Sequence, residues 1–305
     1  MAELGEGGMT TVTEVPETPP ASSPKFIKPT RQQRHWTAIL IWPPLLFLAL
    51  VFMWPLLRTA AISVTDPGPE NYLSFFTDPV YLRSLGVTFL TAAIVTVAAL
   101  LIAYPYAYLM YMSRTAVRGV LTVLVILPFF TSLLVRTYAW TIWLQQTGII
   151  NTVLLRVGLI DEPLELMGNT IGVVIGMTHA LLPFMVFPIF ASMVRIPVNL
   201  VPAAQTLGAT TRTAFRTIFL PLTMPGIVSG SLMVFVMALG YYVTPALLGS
   251  PSNAMLSEFI VNEVEQKLSY GSGAAIGIVL LVVTLAALVV GARLVGFKNF
   301  VTGGR

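Results

Sequence analysis

The sequence lacks cysteine and has few charged residues. The absence of cysteine among its 305 residues excludes disulfides, cysteine-ligated metals and thiol catalysis. Only 10% of the residues are charged and 56% are hydrophobic, whereas about a quarter of the residues of soluble domains are charged. This composition excludes an ordinary soluble domain and predicts an integral membrane protein. The net charge of +4 then indicates orientation in a membrane rather than nucleic-acid binding.

The usual catalytic motifs are also absent. G-x-S-x-G and H-E-x-x-H do not occur, and none of the four lysines follows a glycine, as the phosphate-binding loop of an ATPase requires. The two histidines, His35 and His179, are far apart in the sequence, so no zinc site is expected. We therefore expect a chain that is not an enzyme and that binds no metal or cofactor.

Six apolar runs are long enough to cross a membrane. A helix needs about 20 apolar residues to span the hydrocarbon core, and backbone groups in lipid must form their hydrogen bonds within the segment. The fold class predicted is an all-α polytopic membrane protein with six transmembrane helices. The predicted spans are residues 36–62, 85–110, 120–143, 171–194, 224–248 and 274–295. Kinks are expected at the prolines within them: Pro43, Pro44, Pro55, Pro128, Pro183 and Pro188.

The two ends of the chain differ from these runs. Residues 1–35 combine glutamate, proline and basic residues with few apolar ones, which predicts a disordered N-terminal tail. The first apolar run is longer than the core of a signal peptide and lacks a small-residue cleavage site, so it is interpreted as an uncleaved span. Residues 36–298 form the predicted membrane domain, and residues 299–305 form a short C-terminal tail.

Charge alternates from loop to loop. Loops 63–84, 144–170 and 249–273 each contain three acids and one basic residue. The segments between them contain basic residues and no acid: Arg114, Arg118, Arg195, Arg212, Arg216, Arg293, Lys298 and Arg305. The positive-inside rule predicts that the basic side, with both termini, lies in the cytoplasm.

Residues 195–223 connect two apolar runs but are too polar and interrupted for lipid. Asn199 can cap a short helix that Gly208 interrupts. Phe215 and Phe219 are about one helical turn apart in a second helix, and Pro221 and Pro225 are expected to end it. The pattern predicts two short helices that lie across the basic face of the membrane.

This segment resembles the cytoplasmic loop of permease subunits of binding-protein-dependent ABC importers. The resemblance rests on the spacing of Ala203, Ala204, Leu207, Gly208, Ala209, Phe215, Ile218, Leu220, Pro221, Pro225 and Gly226. In that family the loop is the coupling helix, which fits a groove on the ATPase subunit. The family usually has glutamate where this chain has Pro202. Any contact that the glutamate carboxylate makes with the ATPase in the family is therefore not expected in this chain. The resemblance implies the importer permease fold and contact with the ATPase by Pro202, Ala203, Ala204, Leu207, Gly208, Ala209, Arg212, Phe215 and Arg216.

Further runs are similar to the spermidine/putrescine-type branch of these permeases. They are residues 104–108, 127–129, 136–140, 148–151, 182–186 and 242–249. The resemblance implies a bacterial inner-membrane subunit, a second permease subunit, two ATPase subunits that bind ATP and magnesium, and an extracytoplasmic solute-binding protein. It also implies a polyamine as the solute, with opines, aminoethylphosphonate and iron as alternatives.

Polar and aromatic side chains within the spans are candidates for the solute path. Arg136 is the only charge well inside a predicted span, so it either snorkels outward or faces a polar cavity. Tyr138 and Trp140 lie beside it, and Tyr241 and Tyr242 are at similar depth in the fifth span. Aromatic rings there form an interface belt or contact a cationic solute. We expect these five residues to line the upper part of the path.

Two other classes of protein fit the sequence less well. A transporter driven by an ion gradient would need ionisable groups in its spans, and the predicted spans offer Arg136 and His179 but no acid. An intramembrane enzyme would need a nucleophile with a base, or a set of metal ligands, and neither is recognisable.

Overall fold

The computed structural model describes residues 31–294, and the regular elements in this range are helical. The N-terminal tail was predicted at residues 1–35, of which 1–30 lie outside the described residues and 31–35 are helical, and the C-terminal tail predicted at 299–305 lies wholly outside them. The first helix begins five residues before the predicted span. The helices are α1 (Arg31–Thr65), α2 (Glu70–Thr77), α3 (Pro79–Met112), α4 (Thr115–Ile126), α5 (Leu133–Leu144), α6 (Ile149–Arg156), α7 (Thr170–Val194), α8 (Leu200–Thr206), α9 (Thr211–Ala214), α10 (Leu220–Leu239), α11 (Val243–Leu248), α12 (Leu256–Val261) and α13 (Tyr270–Leu294).

The chain divides into two compact units, residues 1–54 and 55–305. In the first unit, the described residues are those of the first part of α1. The second unit contains the end of α1 and all later helices.

Five helical segments in the described range are long and apolar enough to span a membrane. A sixth span requires α4 and α5 to be counted together. The all-α, multi-span fold class predicted from the sequence is therefore confirmed. The five segments are Trp42–Thr65, Pro79–Met112, Thr170–Val194, Thr211–Leu239 and Tyr270–Gly291.

The third predicted span is not one straight helix. α4 continues into a 3₁₀ turn at Leu127–Phe130, and the chain then bends by 100° before α5 begins at Leu133. Pro128 lies in the 3₁₀ turn, and its carbonyl oxygen accepts a hydrogen bond from Nη1 of Arg136 at 3.0 Å. Pro128 interrupts the helix and the hydrogen bond from Arg136 bridges the bend, so the predicted span 120–143 is present only as a bent pair of helices.

The fifth predicted span also differs at both ends. Pro221 and Pro225 do not end a helix, because the chain is helical from Thr211 to Leu239 with a π-helical turn at Phe215–Phe219. The wider turn directly precedes Pro221, which then occupies the first turn of α10, where its missing N–H group is tolerated. At the other end α10 stops at Gly240. Tyr241 and Tyr242 therefore lie between α10 and α11 rather than inside a span.

The core of the second unit is formed by α3, α7 and α10. α3 contributes the fully buried alanines Ala99, Ala103 and Ala107. A Cβ atom at Gly226 of α10 would lie 2.5 Å from the carbonyl oxygen of Pro188 in α7. Only small side chains allow helices to approach so closely, and in lipid such packing holds helices together.

The two ends of this bundle carry different charges. At one end Tyr108 of α3 packs against Phe219, and we call it the arginine-bearing end because Arg114, Arg118, Arg195, Arg212 and Arg216 lie there. At the opposite end Ser84 of α3 donates a hydrogen bond to the carbonyl oxygen of Ala254 at 2.8 Å. This is the acid-bearing end, with Asp66, Glu70, Asp78, Asp161, Glu162, Glu165, Glu258, Glu263 and Glu265.

Candidate functional site

The segment at the arginine-bearing end is two short helices joined at a glycine. The N–H groups of Gly208 and Ala209 donate to the carbonyl oxygens of Gln205 and Ala204, both at 3.0 Å. This pair of bonds is a Schellman motif, which closes a helix with a residue in the left-handed region. Gly208 has φ of +88°, and a Cβ atom there would meet nothing within 4 Å. Glycine is therefore required at this position by the backbone and not by crowding within the chain.

A threonine starts the helix that follows this joint. Oγ1 of Thr210 accepts the N–H group of Thr213 at 3.2 Å, which satisfies one of the free donors at the start of α9. α9 passes directly into the π-helical turn and α10. The short segment is therefore continuous with a helix that spans the membrane.

The surface of this segment is apolar and basic. The Leu207 side chain is 89% exposed, although it is a large hydrophobic residue. Arg212 and Arg216 are exposed close to it in the sequence. Of the nine residues predicted to contact an ATPase, six are exposed (Pro202, Ala203, Leu207, Gly208, Arg212, Arg216) and three are partly buried (Ala204, Ala209, Phe215).

Five aromatic rings join this segment to α3. Phe215 stacks on Phe219 with 5.5 Å between ring centroids, and both rings contact Tyr108 edge-on at 5.7 and 5.5 Å. Tyr111 lies 5.4 Å from Phe219, and Tyr104 lies 6.4 Å from Phe215. We call these five residues the aromatic cluster. Sequence reasoning missed it, although the spacings of 104, 108 and 111 and of 215 and 219 each place the rings on one helix face.

Arg118 fixes the end of α3 beside this cluster. Its guanidinium group donates to the carbonyl oxygens of Met110, Tyr111 and Ser113 at 3.1 to 3.3 Å. The same group lies over the ring of Phe190 in α7, 5.7 Å from the centroid. A cation at the C-terminus of a helix satisfies its free carbonyl groups, so Arg118 caps α3 and links it to α7.

A second group of predicted residues converges inside the bundle. Nε1 of Trp140 donates to Nδ1 of His179 at 3.2 Å. Arg136 lies one turn before Trp140, and its Nε is buried without a hydrogen-bond partner among the described residues. Its guanidinium group lies within electrostatic range of His179 and Tyr241. Arg136, Trp140 and Tyr241 are thus brought together, with His179 as a hydrogen-bonded member of the same group.

The other two predicted path residues lie elsewhere. The Tyr138 side chain is 64% exposed and has none of these contacts. Tyr242 is 37% exposed and lines a separate cavity at the acid-bearing end. Tyr138 is two residues from both Arg136 and Trp140 on α5, so it lies on a different face of that helix. The break after α10 places Tyr242 at the cavity, whereas the sequence prediction treated this part of the fifth span as helical.

The cavity beside Tyr242 has a volume of about 360 Å³ and was not expected from the sequence. Its walls come from α11, the 3₁₀ turn at Pro251–Asn253, α12 and the π-helical turn at Asn262–Gln266. Glu258 is its one acidic side chain, and Oε1 of Glu258 accepts the N–H group of Met255 at 2.8 Å. Burial raises the pKa of the Glu258 carboxyl, and the bond from Met255 opposes that rise.

A bundle of apolar spans with an exposed basic segment at one end defines a multi-pass membrane protein. A family model described as "Binding-protein-dependent transport system inner membrane component" matches residues 109–295, more than half of the chain. The chain belongs to this family and is a multi-pass inner-membrane protein.

Curated relatives and solved structures agree with this assignment. The chain is 34% identical over 264 residues to the spermidine/putrescine transport system permease protein PotB of Haemophilus influenzae, covering 82% of this chain and 90% of that protein. PotB of Escherichia coli is 36% identical over 214 residues, which cover 70% and 78% of the two chains. A chain of a bacterial alginate ABC transporter, crystallised in complex with a periplasmic protein bound to an alginate pentasaccharide, superposes with a TM-score of 0.71. That alignment covers 88% of this chain and 96% of the other at 19% identity, so it shows the fold alone.

Proposed function

We propose that this chain is the permease subunit of an ATP-driven importer and forms part of the path for a polyamine such as spermidine or putrescine. The names of the two PotB relatives support the solute. The same class of importer with an opine, aminoethylphosphonate or iron as its solute is the alternative. An ion-gradient transporter is disfavoured by family membership.

The observation that carries the proposal is the exposed, capped segment at the arginine-bearing end, residues 200–219, which we call the docking segment. Leu207 presents an apolar side chain to the surface beside exposed Arg212 and Arg216. In our proposal it docks on one of two ATPase subunits, where ATP and magnesium bind, and this chain itself binds no cofactor. A second permease subunit completes the path, and an extracytoplasmic binding protein delivers the solute.

The charge difference between the two ends supports an orientation. Among residues 63–294, the segments on the basic side contain no acid and six arginines: Arg114, Arg118, Arg195, Arg212, Arg216 and Arg293. The loops on the other side contain nine acids and three basic residues, Arg83, Arg156 and Lys267. The positive-inside rule then assigns the arginine-bearing end and both termini to the cytoplasm. The acid-bearing end faces outward, where the binding protein docks.

The aromatic cluster supports a role for α3 in coupling. In our proposal, a displacement of Leu207 is transmitted along α9 to Phe215 and Phe219. The rings of these two residues contact three tyrosines of α3. α3 extends to the acid-bearing end, where Thr88 accepts the N–H group of Leu256 at 2.9 Å. The upper path is formed in this proposal by Arg136, Tyr138, Trp140, Tyr241 and Tyr242.

Substitution of Gly208 tests the coupling role. Asp and Asn have similar shapes and both tolerate positive φ, so Gly208→Asp and Gly208→Asn differ mainly in charge. Both would be assembled with their partner subunits in proteoliposomes, and uptake of radiolabelled putrescine would be measured. We expect Gly208→Asp to lower uptake at least about tenfold, equivalent to ~1.4 kcal/mol of lost docking energy, and Gly208→Asn to lower it less. Normal uptake by the aspartate variant in a fully assembled complex would remove the coupling assignment.

A further inference from the structure

We propose that the cavity at the acid-bearing end, lined by Tyr242, Glu258, Asn262 and Gln266, binds a primary ammonium group of the solute as it enters the permease. This inference rests on the proposed function, because it assigns a place in this subunit to the charged end of a polyamine. It adds a carboxylate and two amides that sequence reasoning did not select.

The cavity has the size and lining for one end of a small cation. Its volume of about 360 Å³ lies at the lower end of the range for small-molecule sites, ~300–1,000 Å³. The ring of Tyr242 forms part of one wall, and an aromatic face attracts an ammonium group. The other polar side chains come from α12 and the π-helical turn that follows it.

The polar side chains are aligned by helical spacing. Glu258, Asn262 and Gln266 follow one another at intervals of four residues. The wider π-helical turn over Asn262–Gln266 helps to keep the third residue on the same side as the first two. Within the described part of the chain, the side chains of Asn262 and Gln266 form no hydrogen bond. Their amide oxygens are therefore available to an ammonium donor.

Glu258 is held in place but has no basic partner in the described range. Its Oε1 accepts the N–H group of Met255 at 2.8 Å, which fixes the carboxylate and leaves Oε2 for another donor. The nearby Glu263 differs, because Lys267 Nζ lies 2.6 Å from its Oε1. A half-buried carboxylate interacts strongly with a cation, since little water screens the pair. The raised pKa of Glu258 agrees with a carboxylate that gains from pairing with a cation.

The group around Arg136 is a poor first contact for a polyamine. A fixed guanidinium charge repels an ammonium group, and no described acid lies with it inside a span. The cavity is nevertheless next to that group along the chain. Tyr241 belongs to the group around Arg136, and the following residue, Tyr242, lines the cavity. Oγ of Ser257 donates to the carbonyl oxygen of Tyr241 at 2.7 Å and fixes the junction. The cavity therefore lies at the entrance to the predicted path.

The test measures how much solute moves for each ATP hydrolysed. Glu258→Gln removes the charge but keeps an oxygen that can accept the N–H group of Met255. In proteoliposomes containing the complete importer and its loaded binding protein, we expect the variant to import about tenfold fewer putrescine molecules per ATP, as loss of a hydrogen bond to a charged group predicts. ATP hydrolysis stimulated by the loaded binding protein should be unchanged, because the docking segment is intact.

Glu265→Gln is the matched control, since Glu265 is an exposed acid in the same turn outside the cavity. It should keep the wild-type ratio of putrescine to ATP. Tyr242→Leu should also lower the number of putrescine molecules imported per ATP. It replaces Glu258→Gln as the test variant if Glu258→Gln reduces the amount of assembled complex. The ammonium site would be overturned if the test variant, Glu258→Gln or its replacement Tyr242→Leu, imported as much putrescine per ATP as the wild type. Failure of the wild-type importer to take up putrescine would instead overturn the proposed function.

Discussion

The two ends of the bundle are built by different kinds of contact. At the arginine-bearing end, the docking segment is shaped by bonds between near neighbours, such as that from Ala209 N–H to the Ala204 carbonyl oxygen. At the acid-bearing end, the wall of the cavity is held by bonds to distant α3, including Ser84 to Ala254 at 2.8 Å and Tyr81 to Glu263 at 3.1 Å. The comparison indicates that the joint at Gly208 is shaped by local bonds, with α3 needed only to attach the segment through the aromatic cluster. The shape of the cavity wall itself depends on bonds to α3.

The largest effect is expected where the docking segment is attached to α3. Phe219 is 3% exposed and contacts three other rings, so Phe219→Ala should destabilise the permease by about 3–5 kcal/mol. Thermal unfolding of the separated permease in nanodiscs measures this change. Leu207→Ala is the contrasting variant, because Leu207 is 89% exposed and has almost no packing to lose within the chain. It should leave the unfolding temperature of the separated permease unchanged and weaken binding of the ATPase.

Equal destabilisation of the separated permease by Leu207→Ala and Phe219→Ala would contradict this division. It would mean that Leu207 is packed within the subunit and that the docking segment is not a free surface.

An intermediate effect is expected in the wall of the cavity. Glu263 is 4% exposed, whereas the side chain of its partner Lys267 is 57% exposed. Lys267→Met leaves a buried carboxylate without its cation, while Glu263→Gln leaves a lysine that water can solvate. We therefore expect Lys267→Met to be the more destabilising, by about 1–3 kcal/mol, the cost of leaving a buried polar group unpaired. A double-mutant cycle followed by thermal unfolding measures the difference, and the opposite ranking would show that the carboxylate is not effectively buried.

The smallest effect is expected within the predicted path. Trp140→Phe removes the hydrogen bond to Nδ1 of His179 and should cost about 1 kcal/mol. Tyr138→Phe keeps the ring and removes a hydroxyl group from a side chain that is 64% exposed, so its stability should match the wild type. Thermal unfolding and putrescine uptake would be measured for both. Loss of uptake in Tyr138→Phe at normal stability would place that hydroxyl group on the path after all.

The contrast between the two ends also explains what the sequence could predict. Gly208 was recognisable because a positive φ is a local requirement, and the spacing from Ala203 to Ala209 lies within one short helix and its cap. The number of spans was recognisable because it depends on length and apolar content. These features are independent of what lies elsewhere in the fold.

Features that depend on distant contacts were not predictable in the same way. Pro128 marked a possible kink, but the 100° bend is held by Arg136, eight residues later. The run 224–248 is apolar throughout, so nothing in its composition marked the break at Tyr241 and Tyr242. Glu258 looked like one of several loop acids, because the cavity around it forms only when α11 and α12 are brought together.

The bend before α5 has a consequence for how the subunit is made in the cell. A helix begins with four backbone N–H groups that have no partner inside it, and α5 begins inside an apolar stretch, directly after Ser132. Such groups are tolerated at membrane depth only where protein or water covers them. Until the start of α5 has reached its cover in the folded protein, a newly inserted copy would leave these N–H groups exposed to lipid.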